Sequence, residues 1–317
     1  DSGLIHNPPY SYWLDHSDLD RAGANFTLNA HYLGALEDFT RLLEWLNQKE
    51  VSEFSKRANL LRSSLRDQFW NAEKGLFADA LLDEGLSIKY SEHANGMALA
   101  LKIADENQGK SIVKQILADD PNRFIKRSTG MTIVTPALSY FLHKGLAHYG
   151  HVDASFDLFR QRFDHMLKPQ YNGTLWEEWW LDGSGRSGKF DGRYTRSDAQ
   201  TESAFFPALS AEFLLGIQPS KPGMVEMIIE KPNTQIQKIE SIIPTPLGDL
   251  FVKWDLDSQQ KRILQLVIPQ GMEIKLRMSS FDIPKGKPLQ INGKPVLLKG
   301  NQKSFYPLPS GKWEGVF

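Results

Sequence analysis

Pro219-Ser220-Lys221-Pro222-Gly223 separates two kinds of sequence. Proline lacks the N–H that a helix interior needs and clashes with the preceding turn, so two prolines and a glycine in five residues end a helix. Upstream of this point, apolar residues recur at spacings of three and four. Leu28, Tyr32, Ala35, Leu36, Phe39, Leu42, Leu43 and Leu46 make one continuous stripe, as a helix with a single buried face requires. Further helices are expected over about 51–70, from Glu92-His93-Ala94-Asn95 to about 104, and over 109–118, 134–148, 152–166 and 200–215, with Pro207 kinking or delaying the last. Residues 71–90 carry Gly75 and Gly85 and read as a long excursion with room for a short strand.

Downstream, short alternating runs take over: Met224–Glu230, Leu250–Asp255, Arg262–Ile268, Glu273–Met278 and Val296–Lys299. Asn292-Gly293 and Ser310-Gly311 are turn signals between them. Two domains follow, a helical one over 1–218 and a β-sandwich of antiparallel strands over 219–317. Seven helices joined as antiparallel pairs point to a helical toroid or bundle.

Composition excludes several functions. The 317 residues are 41% hydrophobic and 24% charged with a net charge of −1, which offers nothing to attract nucleic acid or an anionic membrane. No apolar run reaches the roughly 18 residues needed to span a bilayer. Cysteine is absent, which removes disulfides, thiol nucleophiles and thiolate metal sites together. The eight histidines are scattered with no His-Glu-x-x-His, so metal catalysis by three histidines, or by two histidines and a glutamate, is not expected. The chain opens Asp1-Ser2-Gly3 without methionine and reads as a processed or excised piece.

The densest chemistry lies in Thr174-Leu175-Trp176-Glu177-Glu178-Trp179-Trp180. An indole is a flat apolar platform for the C–H face of a sugar, and a carboxylate desolvated beside it is suited to acid–base work. The bland alternative is a tryptophan core with solvated glutamates. Two acids among three large rings cannot both enter an apolar interior without severe cost, so a carbohydrate site is the stronger reading. Glu177 is the leading catalytic carboxylate, and Glu178 reads as a surface or supporting acid. A second aromatic and acidic cluster holds Tyr10, Tyr12, Trp13, Asp15, His16, Asp18, Asp20 and Arg21, for which a structural loop is an equal reading.

Other motifs fail on context. Gly183-Ser184-Gly185-Arg186-Ser187-Gly188 matches the dinucleotide fingerprint without the strand and helix that must flank it. It is no calcium hand, because Arg186 stands at a ligand position. Phe190 after Gly188-Lys189 rules out a phosphate loop, and no Gly-x-Ser-x-Gly elbow occurs. Carboxylate chemistry remains, and glycosidic hydrolysis needs two such groups.

Four segments resemble the C-terminal half of the bacterial α-L-rhamnosidases of glycoside hydrolase family 78. They are Tyr12-Trp13-Leu14-Asp15 with Asp20-Arg21-Ala22-Gly23, Met131–Gly150, Gly173–Trp179, and Ile217 to Gly223. The resemblance implies a partial (α/α)6 toroid followed by an antiparallel β-sandwich, and an inverting glycosidase needing no cofactor. It places Glu177 as general base, lines the sugar site with Trp13, Trp176 and Trp179, and lets Asp15 reach a hydroxyl. Gln200 of Ser197-Asp198-Ala199-Gln200 stands where the family usually has histidine. The family's general acid lies upstream of the matching segments, with Asp15, Asp18 and Asp198 as alternatives within the chain. Association with an N-terminal half or a second copy is expected, and a periplasmic or secreted setting rather than a cytoplasmic one. The rival readings are a non-catalytic glycan-binding relative, and a polysaccharide lyase or unsaturated-uronide hydrolase using Arg193, Tyr194 and Arg196.

Overall fold

The computed structural model describes residues 2–122, 126–168, 173–179, 197, 199–281, 283, 288–298 and 304–317. The chain forms two compact units, Asp1–Phe205 and Phe206–Phe317.

In the first unit, β1 (Ala24–Asn25) leads straight into α1 (Phe26–Trp45), and α2 (Val51–Gln68) packs beside α1. Asn25 starts α1 because its Oδ1 accepts the Leu28 N–H at 2.8 Å, satisfying a donor that has no partner within the helix. The excursion after α2 is two small sheets. In one, β2 (Trp70–Asn71) pairs with β3 (Leu76–Phe77); in the other, β4 (Ala80–Leu82) lies between β1 and β5 (Gly85–Leu86). Four helices follow: α3 (Glu92–Ala100), α4 (Glu106–Ile116), α5 (Tyr140–His148) and α6 (Val152–Phe163). The Ser91 hydroxyl caps α3, and a reciprocal capping box of Asp105 and Gln108 starts α4.

Helix α3 lies between α1 and α5, while α2, α4 and α6 pack against α1, α3 and α5 respectively. All nine residues of α3 are buried. The α3–α5 contact is close because glycines face each helix. A Cβ at Gly145 would sit 2.6 Å from Leu99 Cβ and 2.8 Å from the Gly96 carbonyl oxygen; one at Gly96 would sit 2.9 Å from Leu142 Cα. Gly96 meets Leu142 and Leu99 meets Gly145, so the two helices run in the same direction.

The stretch expected as one helix over 134–148 is divided. Thr135 is extended (φ −71°, ψ 163°), a short 3-10 turn covers Pro136–Leu138, and only then does α5 begin. Proline disfavours the helical region for the residue before it, which keeps Thr135 extended. The helix expected over 200–215 is broken too: a 3-10 turn at Thr201–Ser203, α7 (Phe206–Leu209) and a π turn at Ser210–Leu214. Pro207 sits in the first turn of α7, where its missing N–H costs no hydrogen bond.

Segment 206–218 belongs to the second unit. Leu215 and Ile217 enter its core, and the Leu215 carbonyl accepts the Trp254 indole N–H at 2.9 Å. The strands of this unit are β6 (Ile217–Pro219), β7 (Glu226–Ile229), β8 (Ile239–Ile243), β9 (Leu250–Leu256), β10 (Arg262–Ile268), β11 (Glu273–Arg277), β12 (Leu289–Ile291), β13 (Lys294–Val296), β14 (Phe305–Leu308) and β15 (Gly311–Val316). They form a six-stranded sheet, β13-β12-β15-β10-β9-β8, and a four-stranded one, β14-β11-β7-β6. Met227, Ile229, Ile274 and Leu276 from the smaller sheet join Val252, Trp254, Leu264 and Leu266 from the larger in one core. Asn292 and Gly293 both have positive φ, 49° and 70°, and turn β12 into β13 as an Asn-Gly hairpin should.

One ladder departs from the antiparallel expectation: β7 and β11 pair in parallel. The chain between them passes through β8, β9 and β10 of the other sheet, and such a long crossover is what parallel neighbours need.

The variant Gly145→Ala should lose about 1–3 kcal/mol of stability, because its methyl has no room against Leu99 and the Gly96 carbonyl. A urea midpoint unchanged from the parent would contradict this packing.

Candidate active site

A helix buried on all sides cannot carry Glu92 and His93 at its start unless both find partners. Glu92 finds two arginines. Arg127 donates to its Oε1 through Nε at 3.0 Å and Nη2 at 2.9 Å; Arg162 reaches Oε2 at 2.8 Å and Oε1 at 2.7 Å. The Val134 N–H donates to Oε2 at 3.2 Å. Burial alone would raise the Glu92 carboxyl, but Arg162 and then Arg127 bring it down to about 2.

His93 turns the other way, with Nε2 hydrogen-bonded to the Asp15 carboxylate. Asp15 is 2% exposed. Its Oδ1 also accepts the His16 N–H at 2.6 Å and the Thr135 hydroxyl at 3.0 Å; its Oδ2 accepts the Ser17 hydroxyl at 3.0 Å and the Thr135 N–H at 3.3 Å. Burial would raise this carboxyl, yet the interaction with His93 and the N–H groups of His16 and Thr135 hold it below the ordinary range. With its oxygens so occupied, Asp15 fastens the loop before α1 to α3 and to Thr135. The sugar hydroxyl expected as its partner would compete with five donors already in place.

The next residue faces Glu177. His16 Nε2 lies 2.7 Å from Glu177 Oε1, and the two side chains are 21% and 16% exposed. Trp13 stands edge-on to the His16 ring at 5.4 Å and is itself well exposed. The Glu177 N–H donates to the Ser197 carbonyl at 3.1 Å and the Gln200 N–H to the Leu175 carbonyl at 2.8 Å, which brings Ser197 and Gln200 beside Glu177 and Leu175. Trp13, Glu177 and the Gln200 backbone, all picked from sequence, therefore lie in one neighbourhood with His16.

Trp176 and Trp179 do not join them as platforms. Both are fully buried with Ile133, Phe163 and Met166. The Trp179 indole donates to the Val134 carbonyl at 2.7 Å and its ring meets Phe163 edge-on at 4.8 Å. The Trp176 carbonyl accepts the Ser203 hydroxyl at 2.7 Å. Large rings fill a core well when their N–H finds an acceptor, and that gain exceeds what solvent exposure offers. Glu178, read as a surface or supporting acid, is fully buried as well. Trp180, the glycine-rich run 183–188, Lys189, Phe190, Arg193, Tyr194, Arg196 and Asp198 lie outside the described residues.

A general acid must hold its proton at working pH, so its pKa must be raised. Asp15 is shifted the wrong way. So is Asp18, whose carboxyl is held down by Lys89 at 2.7 Å and Lys126 at 3.1 Å. Neither suits the acid's role. Among the described residues, no three His, Asp or Glu side chains are placed to hold a metal, and no helix is long and apolar enough to cross a membrane.

Sequence reasoning assigned no role to His16, Glu92, His93, Arg127 or Arg162. The available signal was Glu92-His93 heading an otherwise Ala/Leu helix, since charge on an all-apolar helix demands partners.

The sequence profile of the mannosylglycerate hydrolase MGH1-like glycoside hydrolase domain matches residues 10–177, from just before Trp13 to Glu177 itself. The chain belongs to this family. Solved α-L-rhamnosidases share the fold. The family 78 enzyme of Bacillus sp. GL1 superposes with a TM-score of 0.70 at 23% identity over 87% of this chain. The Streptomyces avermitilis enzyme complexed with L-rhamnose gives 0.65 at 15% identity over 100%. The Aspergillus terreus enzyme gives 0.61 at 18% over 90%. This chain spans 28%, 29% and 29% of their respective lengths. No curated protein sequence matches it significantly.

Glu92→Gln should cost about 3–5 kcal/mol, because two buried guanidinium groups lose their counter-charge. The pH dependence has a definite sign. A carboxyl at about 2 rather than 4.5 stabilises the fold fully above pH 4.5, and this contribution is lost as pH falls toward 2. Acid titration of unfolding should therefore be flatter between pH 4.5 and 2 in the variant than in the parent. Parallel curves would refute the pairing.

Proposed function

We propose that this chain is part of an inverting glycoside hydrolase of the α-L-rhamnosidase kind, with Glu177 as general base. The supporting observation is the placement of Glu177: a partly accessible carboxylate, hydrogen-bonded to His16, whose ring in turn meets the exposed ring of Trp13. Glu177 takes a proton from water, whose oxygen attacks the anomeric carbon as the bond to the leaving oxygen breaks. A second carboxyl, roughly 6.5–9.5 Å away, protonates that leaving oxygen and leaves room for the water. We assign this acid to a position outside the described residues, since Asp15 and Asp18 do not suit it. Trp13 offers its face to the sugar's C–H surface, and the Gln200 amide can both donate to and accept from a hydroxyl. The helical part is a portion of an (α/α)6 toroid, and the two sheets of the second unit form the following β-sandwich.

The family's own name, mannosylglycerate hydrolase MGH1-like, supports a second substrate reading, a mannosyl glycoside at the same carboxylate.

The test uses the intact protein and its Glu177→Gln variant on an aryl α-L-rhamnoside and on mannosylglycerate, with the released anomer followed by NMR. Release of the inverted β-anomer from the rhamnoside, with kcat falling at least about 10²-fold in the variant, is the expected result. Retained configuration, or an active variant, overturns it. Turnover of mannosylglycerate alone selects the second reading.

A further inference from the structure

We infer that His16 is the positioning residue of the catalytic base. It fixes the Glu177 carboxylate by occupying Oε1 and leaves proton abstraction to Oε2. This inference rests on the reading of Glu177 as base.

Three observations carry it. The imidazole is delivered by a backbone with little freedom. Asp15 is anchored by His93, Ser17 and Thr135, and its Oδ1 holds the His16 N–H at 2.6 Å. The Asp15 carbonyl in turn accepts the Arg21 guanidinium at 2.7 Å. Next, the contact itself is direct, with His16 Nε2 2.7 Å from Glu177 Oε1 across 161 residues of sequence. Last, the pair is mostly enclosed, at 21% and 16% exposure, and Trp13 stands against the imidazole at 5.4 Å. A hydrogen bond to an ionised acceptor in such surroundings is stronger than one in water.

The chemistry follows from which atoms are committed. An imidazole with its proton on Nε2 donates to Oε1 of the ionised carboxylate. The carboxylate plane is then set, because its terminal torsion is otherwise broad. When the water O–H bond breaks, its electron pair goes to the new bond with the anomeric carbon. Its proton goes to Oε2, and His16 neither gains nor loses one. Removing the imidazole leaves the carboxylate free to turn away from the water, and a misplacement near 1 Å can cost about 10²-fold in rate.

The test compares the intact parent, Glu177→Gln, His16→Ala and His16→Gln on the glycoside that the parent turns over. Glutamine places its amide nitrogen close to where Nε2 lies, so it restores the donor without the ring. We expect kcat to fall about 10–100-fold in His16→Ala with KM within about twofold, and most of the loss to be recovered in His16→Gln. An unchanged kcat in His16→Ala beside an inactive Glu177→Gln sinks the positioning role alone. An effect confined to KM makes His16 a substrate contact, and equal losses in both His16 variants with lowered melting temperatures make it scaffold; either result overturns the inference. If Glu177→Gln stays active, the base reading has failed and this inference falls with it.

Discussion

A carboxylate with no exposure has to be neutralised by its surroundings, and Glu92 at the start of α3 is such a group. Two guanidinium groups and one backbone N–H surround it, drawn from the segment around Arg127, from α6 and from Val134. Such an arrangement adds little net stability over a well-packed apolar core, because desolvation of the charges offsets most of their attraction. Its effect is on geometry. The start of α3 can adopt only the position in which all three donors meet it, so the extended segment through Val134 and Thr135 is held at a fixed distance from the helix. That segment then receives the Trp179 indole on the Val134 carbonyl and the Asp15 carboxylate on Thr135.

From there the loop before α1 is set by alternation. Successive residues of an extended chain point to opposite sides. Asp15 goes inward to His93, and His16 emerges beside Glu177. The Trp–Glu segment does not alternate: Trp176, Glu178 and Trp179 are all buried, and Glu177 between them keeps part of its surface. Trp13, His16 and Glu177 thus each have a neighbour in sequence that is locked in the interior. A loop without regular structure becomes a rigid support in this way, and polar side chains near chemistry gain most from such support. The family profile runs from Tyr10 to Glu177, so its two ends are the two segments that meet at this contact.

Helix α3 joins both halves of the arrangement. Its first two residues hold the loops, and its middle accepts α5 at a separation only glycine allows, at Gly96 and Gly145. A helix packed on every side has no freedom to tilt, and the groups at its N-terminus inherit that precision.

Sequence alone determined what depends on near neighbours in the chain. The stripe in α1, the change of character at Pro219–Gly223, the alternation in β9 and β10, and the Asn292-Gly293 turn were all legible, because periodicity and turn chemistry are local. Glu177 was legible as a carboxylate among indoles, and Pro207 as a breaker. Tertiary structure decided what depends on partners far along the chain. Whether a tryptophan fills a core or faces solvent is set by what packs over it, so Trp13 and Trp176 look alike in sequence and differ completely in burial. The parallel pairing of β7 with β11 depends on a crossover through the other sheet. The contact between His16 and Glu177 spans 161 residues, and it exists because Glu92 and His93 hold two loops in place with buried charge, a constraint that no local pattern encodes.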